Sequence, residues 1–183
     1  ALATVVMYVF ILLLGFYILM RSFGFKPLLS VLGAIAWAFS SYYFIIIGAG
    51  HIWKLLTLAF IPPTIAGMVM CYKGRYLWGG CVLALFLSFQ ILSNHLQMTY
   101  YFLLVMFAMA VAWFIDAYRK KQLSHFFKAT AIIAVAALIA VCTNISNLYH
   151  TYQYSKETMR GRSDLAVEGS SHKSGLSPEY ITQ

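Results

Sequence analysis

Long apolar runs separated by short polar breaks recur along the chain, over about residues 1–20, 27–50, 54–72, 76–93, 98–115 and 127–146. A run of roughly 18 residues or more, rising ~1.5 Å per residue, is close to what a helix needs to cross a hydrocarbon core of ~30 Å. Lipid offers no partner for backbone N–H and C=O groups, so such runs must satisfy them internally as helices. The pattern predicts an all-α, polytopic transmembrane helix bundle with about six membrane crossings over residues 1–147. The breaks are chemically distinct. Arg21 to Pro27 combines two cations, a glycine and a proline, Lys73-Gly74-Arg75 is a tight turn, Asn94-His95-Leu96-Gln97 is polar, and Asp116 leads into Arg119-Lys120-Lys121. Pro62-Pro63 interrupts the third run, as a kink in one helix or as the border between a short interfacial helix over 54–61 and a short spanning piece.

From residue 148 the character changes. Tyr149 to Tyr154 is aromatic and polar, and the sequence beyond it is charged, with Gly, Ser and Lys around Gly169–Gly175. Residues 148–183 therefore read as a juxtamembrane segment leading into a further domain. Ala1 falls in the middle of an apolar run without a basic leader, which leads us to expect an internal piece of a longer protein.

Composition sharpens this picture. With 62% hydrophobic residues and 10% charged, the chain is unsuited to an ordinary water-exposed surface. The excess of 13 Lys and Arg over 5 Asp and Glu lies between apolar runs, which points to topology and away from nucleic acid. The first, third and fifth turns carry Arg21, Lys26, Lys73, Arg75, Arg119, Lys120, Lys121 and Lys128, whereas the second and fourth carry only Lys54. By the positive-inside bias the odd turns are cytoplasmic, and His51, Lys54, Asn94, His95, Gln97 and the tail lie outside. Cys71, Cys81 and Cys142 lack metal or redox spacing and are expected to be small apolar fillers.

Candidate chemistry gathers in the outer turns. Gly48-Ala49-Gly50-His51-Ile52-Trp53-Lys54 places an imidazole and an ammonium where a helix surfaces, and its small residues would admit a ligand or another backbone. Lys54 is the single cation of those turns, suited either to a lipid phosphate or to snorkelling toward headgroups. Gln90, Asn94 and Gln97 fall at spacings of four and three, and are expected on one stripe facing protein or a cavity. Arg160 and Arg162 form a second candidate phosphate contact, while interfacial histidines and amides also meet headgroups without further function. His51, His95 and His150 lack the close spacing of a metal set, so no metal ligand is assigned.

Five stretches together carry a family resemblance: Ala38-Phe39-Ser40-Ser41-Tyr42, Gly50-His51-Ile52-Trp53-Lys54, Ser93-Asn94-His95-Leu96-Gln97-Met98-Thr99-Tyr100-Tyr101, Thr143-Asn144-Ile145-Ser146-Asn147-Leu148, and Arg160-Gly161-Arg162 with Gly175 to Thr182. The chain resembles the bacterial YfhO membrane protein family, itself similar to the GT-C glycosyltransferases. That resemblance implies a bacterial cytoplasmic (inner) membrane protein transferring a sugar from a polyprenyl-phosphate donor to a cell-envelope polymer or glycan on the outer face. His51, Lys54, Asn94, His95 and Gln97 fall on the matching turn motifs, and we infer substrate contacts from them and from Arg160 and Arg162. The catalytic acid would lie upstream of residue 1; no cofactor is identified, and a divalent cation fits the chemistry. A flippase for a lipid-linked sugar and a non-catalytic membrane anchor are the competing expectations.

Overall fold

A computed structural model of the chain describes residues 2–157. Every regular element among them is an α-helix: α1 (Leu2–Phe23), α2 (Pro27–Ala38), α3 (Ser41–Gly48), α4 (Ile52–Tyr72), α5 (Tyr76–Leu92), α6 (Leu96–Arg119), α7 (Leu123–Thr143) and α8 (Ile145–Glu157). Among the described residues four spans are long and apolar enough to cross a membrane: Ala3–Phe23, Ile52–Tyr72, Gln97–Arg119 and Leu123–Thr143. The α2–α3 pair makes a fifth if it is counted as one span, and α5 is apolar but only 17 residues long. The described residues thus form an all-α bundle of the multi-pass membrane kind.

Two expectations need correction. The run over 27–50 is not one helix: it breaks at Phe39-Ser40, and α2 and α3 meet at 41°. Ser40 is extended (φ −60°, ψ 133°) and starts α3 as its N-cap residue, though its hydroxyl makes no cap bond. The supposed amide stripe is also broken, because Asn94 takes a positive φ of 53° in the turn between α5 and α6, leaving Gln90 and Gln97 on different helices. At Pro62-Pro63 the structure resolves the two alternatives in favour of a single helix.

The compact unit Ala1–Ile145 is built around α4. Inside the bundle, 67% of its apolar window is buried, against 11% for α1 and α6. Glycine sets the closest approaches. A Cβ on Gly67 would lie 2.6 Å from the Leu83 amide nitrogen, and one on Gly79 would lie 2.7 Å from that of Cys71, so α4 and α5 pack backbone to backbone in antiparallel order. On the other flank Gly15 of α1 meets the Ala59 carbonyl, where a Cβ would come within 2.8 Å. That carbonyl is the one Pro63 leaves without its helical N–H, so a bare glycine lets α1 close over the gap in the ladder.

Polar side chains are mostly satisfied within their own helix. Ser30, Thr57 and Thr64, all fully buried, donate to the carbonyls of Lys26, Trp53 and Phe60. Between helices, Lys73 Nζ donates to the carbonyls of Ser22 and Phe23, both at 2.8 Å, placing a cation at the negative end of α1. His125 Nε2 lies 2.7 Å from the Tyr72 carbonyl, which can only accept, so that nitrogen carries the proton and Nδ1 accepts the Tyr76 hydroxyl at 2.5 Å. At the opposite end of α5 and α7, Asn144 Nδ2 donates to the Ser88 carbonyl at 3.2 Å.

The filler reading of the cysteines holds for buried Cys71, whereas Cys81 and Cys142 are exposed. The second unit comprises Ser146–Gln183. Its described part lies in α8, where Thr151 donates to the Asn147 carbonyl and Gln153 Nε2 to the Tyr149 hydroxyl.

Candidate functional site

The interruption between α2 and α3 is where the bundle opens. A cavity of about 690 Å³ lies there, walled by Phe16 and Met20 of α1, Trp37 of α2, Tyr42 and Tyr43 of α3, and Leu58 of α4. Gly33 admits this wall: a Cβ on it would approach Met20 and Phe16 at 3.2 and 3.4 Å. Trp37 stacks on Phe16 with centroids 5.0 Å apart and meets Tyr43 at 5.4 Å. Its indole N–H is buried and has no acceptor among the described residues. A donor-only group left in that state costs about 1–3 kcal/mol, which a ligand oxygen would recover.

Lys54 stands beside this cavity. Its ammonium lies 5.8 Å from the ring centroid of Tyr42, a cation–π geometry that links the start of α4 to a cavity wall. His51 is the N-cap residue of α4 and His95 that of α6, and neither imidazole caps its helix. Because α4 and α5 are antiparallel, both turns lie at the end of the hairpin opposite Lys73-Gly74-Arg75. Two helix N-termini without a side-chain cap, one carrying Lys54, make that end favourable for an anion.

Not all predicted partners meet. No hydrogen bond, ion pair or ring contact joins His51 or Lys54 to His95 or Gln97 among the described residues. Gln97 is exposed, His95 half-buried, and Asn94 occupies the left-handed turn position. Arg160 and Arg162 lie outside the described residues. The small residues Gly48 and Gly50 are not places of close approach, since a Cβ on either would meet nothing within 4 Å; Gly50 is required by its φ of 74°.

The amide stripe yields one inward residue. Gln90 is fully buried, and its Oε1 lies 3.5 Å from Thr64 Oγ1, but its Nε2 has no partner among the described residues. Since Thr64 donates its proton to Phe60, rotating the amide would let nitrogen face the Thr64 oxygen, which pairs better. Trp37 went unmarked in the sequence because a tryptophan in an apolar run looks like core. The one readable signal was the Ser40-Ser41 pair that follows it. Among the described residues no three His, Cys, Asp or Glu side chains gather as a metal set. Comparison of the chain with models of known families, with curated proteins and with solved structures finds no match.

Proposed function

We propose that this chain belongs to a membrane glycosyltransferase of the GT-C-like kind that its turn motifs resemble, working on the outer face of a bacterial cytoplasmic membrane with the cation-rich turns inside. The observation that carries the reading is the aromatic cavity at the α2–α3 break, with Lys54 at its side. A trough of aromatic rings suits an isoprenoid chain, an ammonium suits its phosphate, and a buried unpaired indole N–H suits a phosphate or sugar oxygen. Broken helices facing cavities are also where membrane proteins place polar ligands.

In such a transfer an acceptor hydroxyl attacks the anomeric carbon, a base takes its proton, and the carrier phosphate leaves with the electron pair of the broken C–O bond. Lys54 stabilises the departing phosphate, with Arg160 or Arg162 as a second cation, and His51, Asn94, His95 and Gln97 position sugar or acceptor hydroxyls. Neither the Gly48–Lys54 nor the Ser93–Gln97 turn contains Asp or Glu, so the base is an acid elsewhere in the protein, with or without a divalent cation, or, failing that, His51 or His95.

The test is transfer by the purified full-length protein from radiolabelled polyprenyl-phosphate sugars. Lys54→Ala is expected to lower turnover by roughly 10²-fold, the scale of one lost charge-stabilising donor. Near-normal turnover would take Lys54 out of the mechanism. The broken helix equally suits a flippase, and donor movement across liposomes without sugar transfer would establish that alternative instead.

A further inference from the structure

On the opposite flank of α4, two features of α5 and α7 meet at one residue. These helices run parallel, held at one end by the His125–Tyr76 bond and at the other by Asn144 on the Ser88 carbonyl. Between the two clamps their outer faces leave an apolar groove of about 400 Å³, lined among others by Gly80, Cys81, Ala84, Ile132, Val135 and Ile139. Gly80 shapes it, since a Cβ there would come within 3.0 Å of Ile132 Cγ2. The groove ends at Tyr76. The same tyrosine lines a second, polar cavity of about 530 Å³ with Gln122, Ser124, His125 and Lys128.

We propose that this pair of cavities binds one anionic phospholipid, its acyl chain in the α5–α7 groove and its phosphate in the polar cavity. Lys128 has no ion-pair partner among the described residues, whereas Lys120 is bound to Asp116 at 2.7 Å and Lys73 to the end of α1. Ser124 and Gln122 add neutral hydrogen-bonding groups at the start of α7. Arg75 and Lys121 directly precede Tyr76 and Gln122 in the chain and add two cations to these turns, where the nearby carboxylate, Asp116, is already paired with Lys120. Charge complementarity thus selects an anionic headgroup. Trp78, 72% exposed two residues beyond Tyr76, has the placement of a membrane-interface tryptophan, which puts the polar cavity at headgroup level. The groove extends from there toward the bilayer interior for eight residues of α5, about 12 Å at ~1.5 Å per residue, the right direction for an acyl chain. Inside a bilayer, burying that chain gains no hydrophobic energy, so selectivity must come from the headgroup and from packing.

The experiment is native mass spectrometry of the purified full-length protein titrated with dioleoyl-phosphatidylglycerol or dioleoyl-phosphatidylcholine. The wild type is expected to bind the glycerol lipid roughly tenfold more tightly, the scale of one charge-assisted contact. Lys128→Gln should abolish that preference while leaving choline-lipid binding unchanged. Cys81→Phe, which fills the groove from an exposed position, should weaken both lipids, and Cys142→Phe, outside the groove, neither. A thermal transition like that of the wild type certifies the fold of each variant. As a second readout, phosphatidylglycerol should slow alkylation of Cys81 by a lipid-soluble maleimide without slowing that of Cys142. Equal binding of the two lipids by the wild type, or a preference that survives Lys128→Gln, would overturn the proposal. So would efficient Cys81–Cys81 cross-linking between two copies with no lipid retained, which would make the groove a protein contact.

Discussion

Trp37 separates two roles that a single side chain can play. Its indole N–H is buried without an acceptor among the described residues, while its ring stacks on Phe16. Trp37→Phe keeps an aromatic ring there and removes the donor. If the N–H serves only the fold, its loss relieves a desolvation penalty; if it serves a ligand, stability rises and affinity falls together. We expect unfolding in detergent to become harder by about 1 kcal/mol, with donor affinity reduced roughly tenfold. Stability that rises with donor affinity unchanged would assign the N–H to no ligand. Of the neighbouring rings Tyr42-Tyr43-Phe44, the first and third are exposed, but Tyr43 is buried against Trp37. Which member of an aromatic cluster turns inward depends on where the helix breaks, and the apolar pattern does not carry that phase.

Between elements, glycine decides how close α4 and α5 come. Gly67→Val would push a branched side chain against the Leu83 backbone, which cannot move without parting the helices. The expected cost is about 2–3 kcal/mol in reversible unfolding, the upper range for an overpacked core. Gly48→Ala is the internal control: open space surrounds that position, and the change should stay within ~0.5 kcal/mol. Equal tolerance at both sites would mean that α4 and α5 are not packed at Gly67. Gly67 and Cys71 stand at the four-residue interval at which small residues line a helix contact, a trace the sequence held but its reading passed over, whereas on α5 Gly79 is followed at that interval by the bulky Leu83. Gly48-Ala49-Gly50 drew attention instead because small residues beside a histidine suggest a site. The α2–α3 break left a similar trace in Ser40-Ser41, since a serine pair within an apolar run can start a new helix; hydropathy alone passes over it because two small hydroxyls barely lower the average.

Across the bundle, the separation of charge seen in the sequence corresponds to a separation in space. Lys73 reaches the carbonyls that close α1, and His125 reaches the Tyr72 carbonyl and the Tyr76 hydroxyl, so the three cation-rich turns converge at one end. Nothing in their charge requires those contacts; the agreement comes from antiparallel neighbours returning the chain to the same end. The central place of α4 was harder to read, because every run is apolar. Its signs were indirect: of the four long spans it is the least apolar, and it holds Thr57, Thr64, Gly67 and both prolines, residues that favour protein over lipid as surroundings. The gathered turns make a sharp topological prediction. With native cysteines replaced by serine, single cysteines at Lys26 and Lys121 should react with a membrane-impermeant maleimide from one face only, and those at His51 and Gln97 from the other. By the positive-inside bias the first pair should be protected in intact cells and the second labelled. Labelling of all four from the same face would mean that the helices do not alternate across the bilayer. A clean division with the two faces exchanged would preserve the bundle but move Lys54 and the cavity beside it to the cytoplasmic side, where an outer-face glycosyl transfer cannot take place.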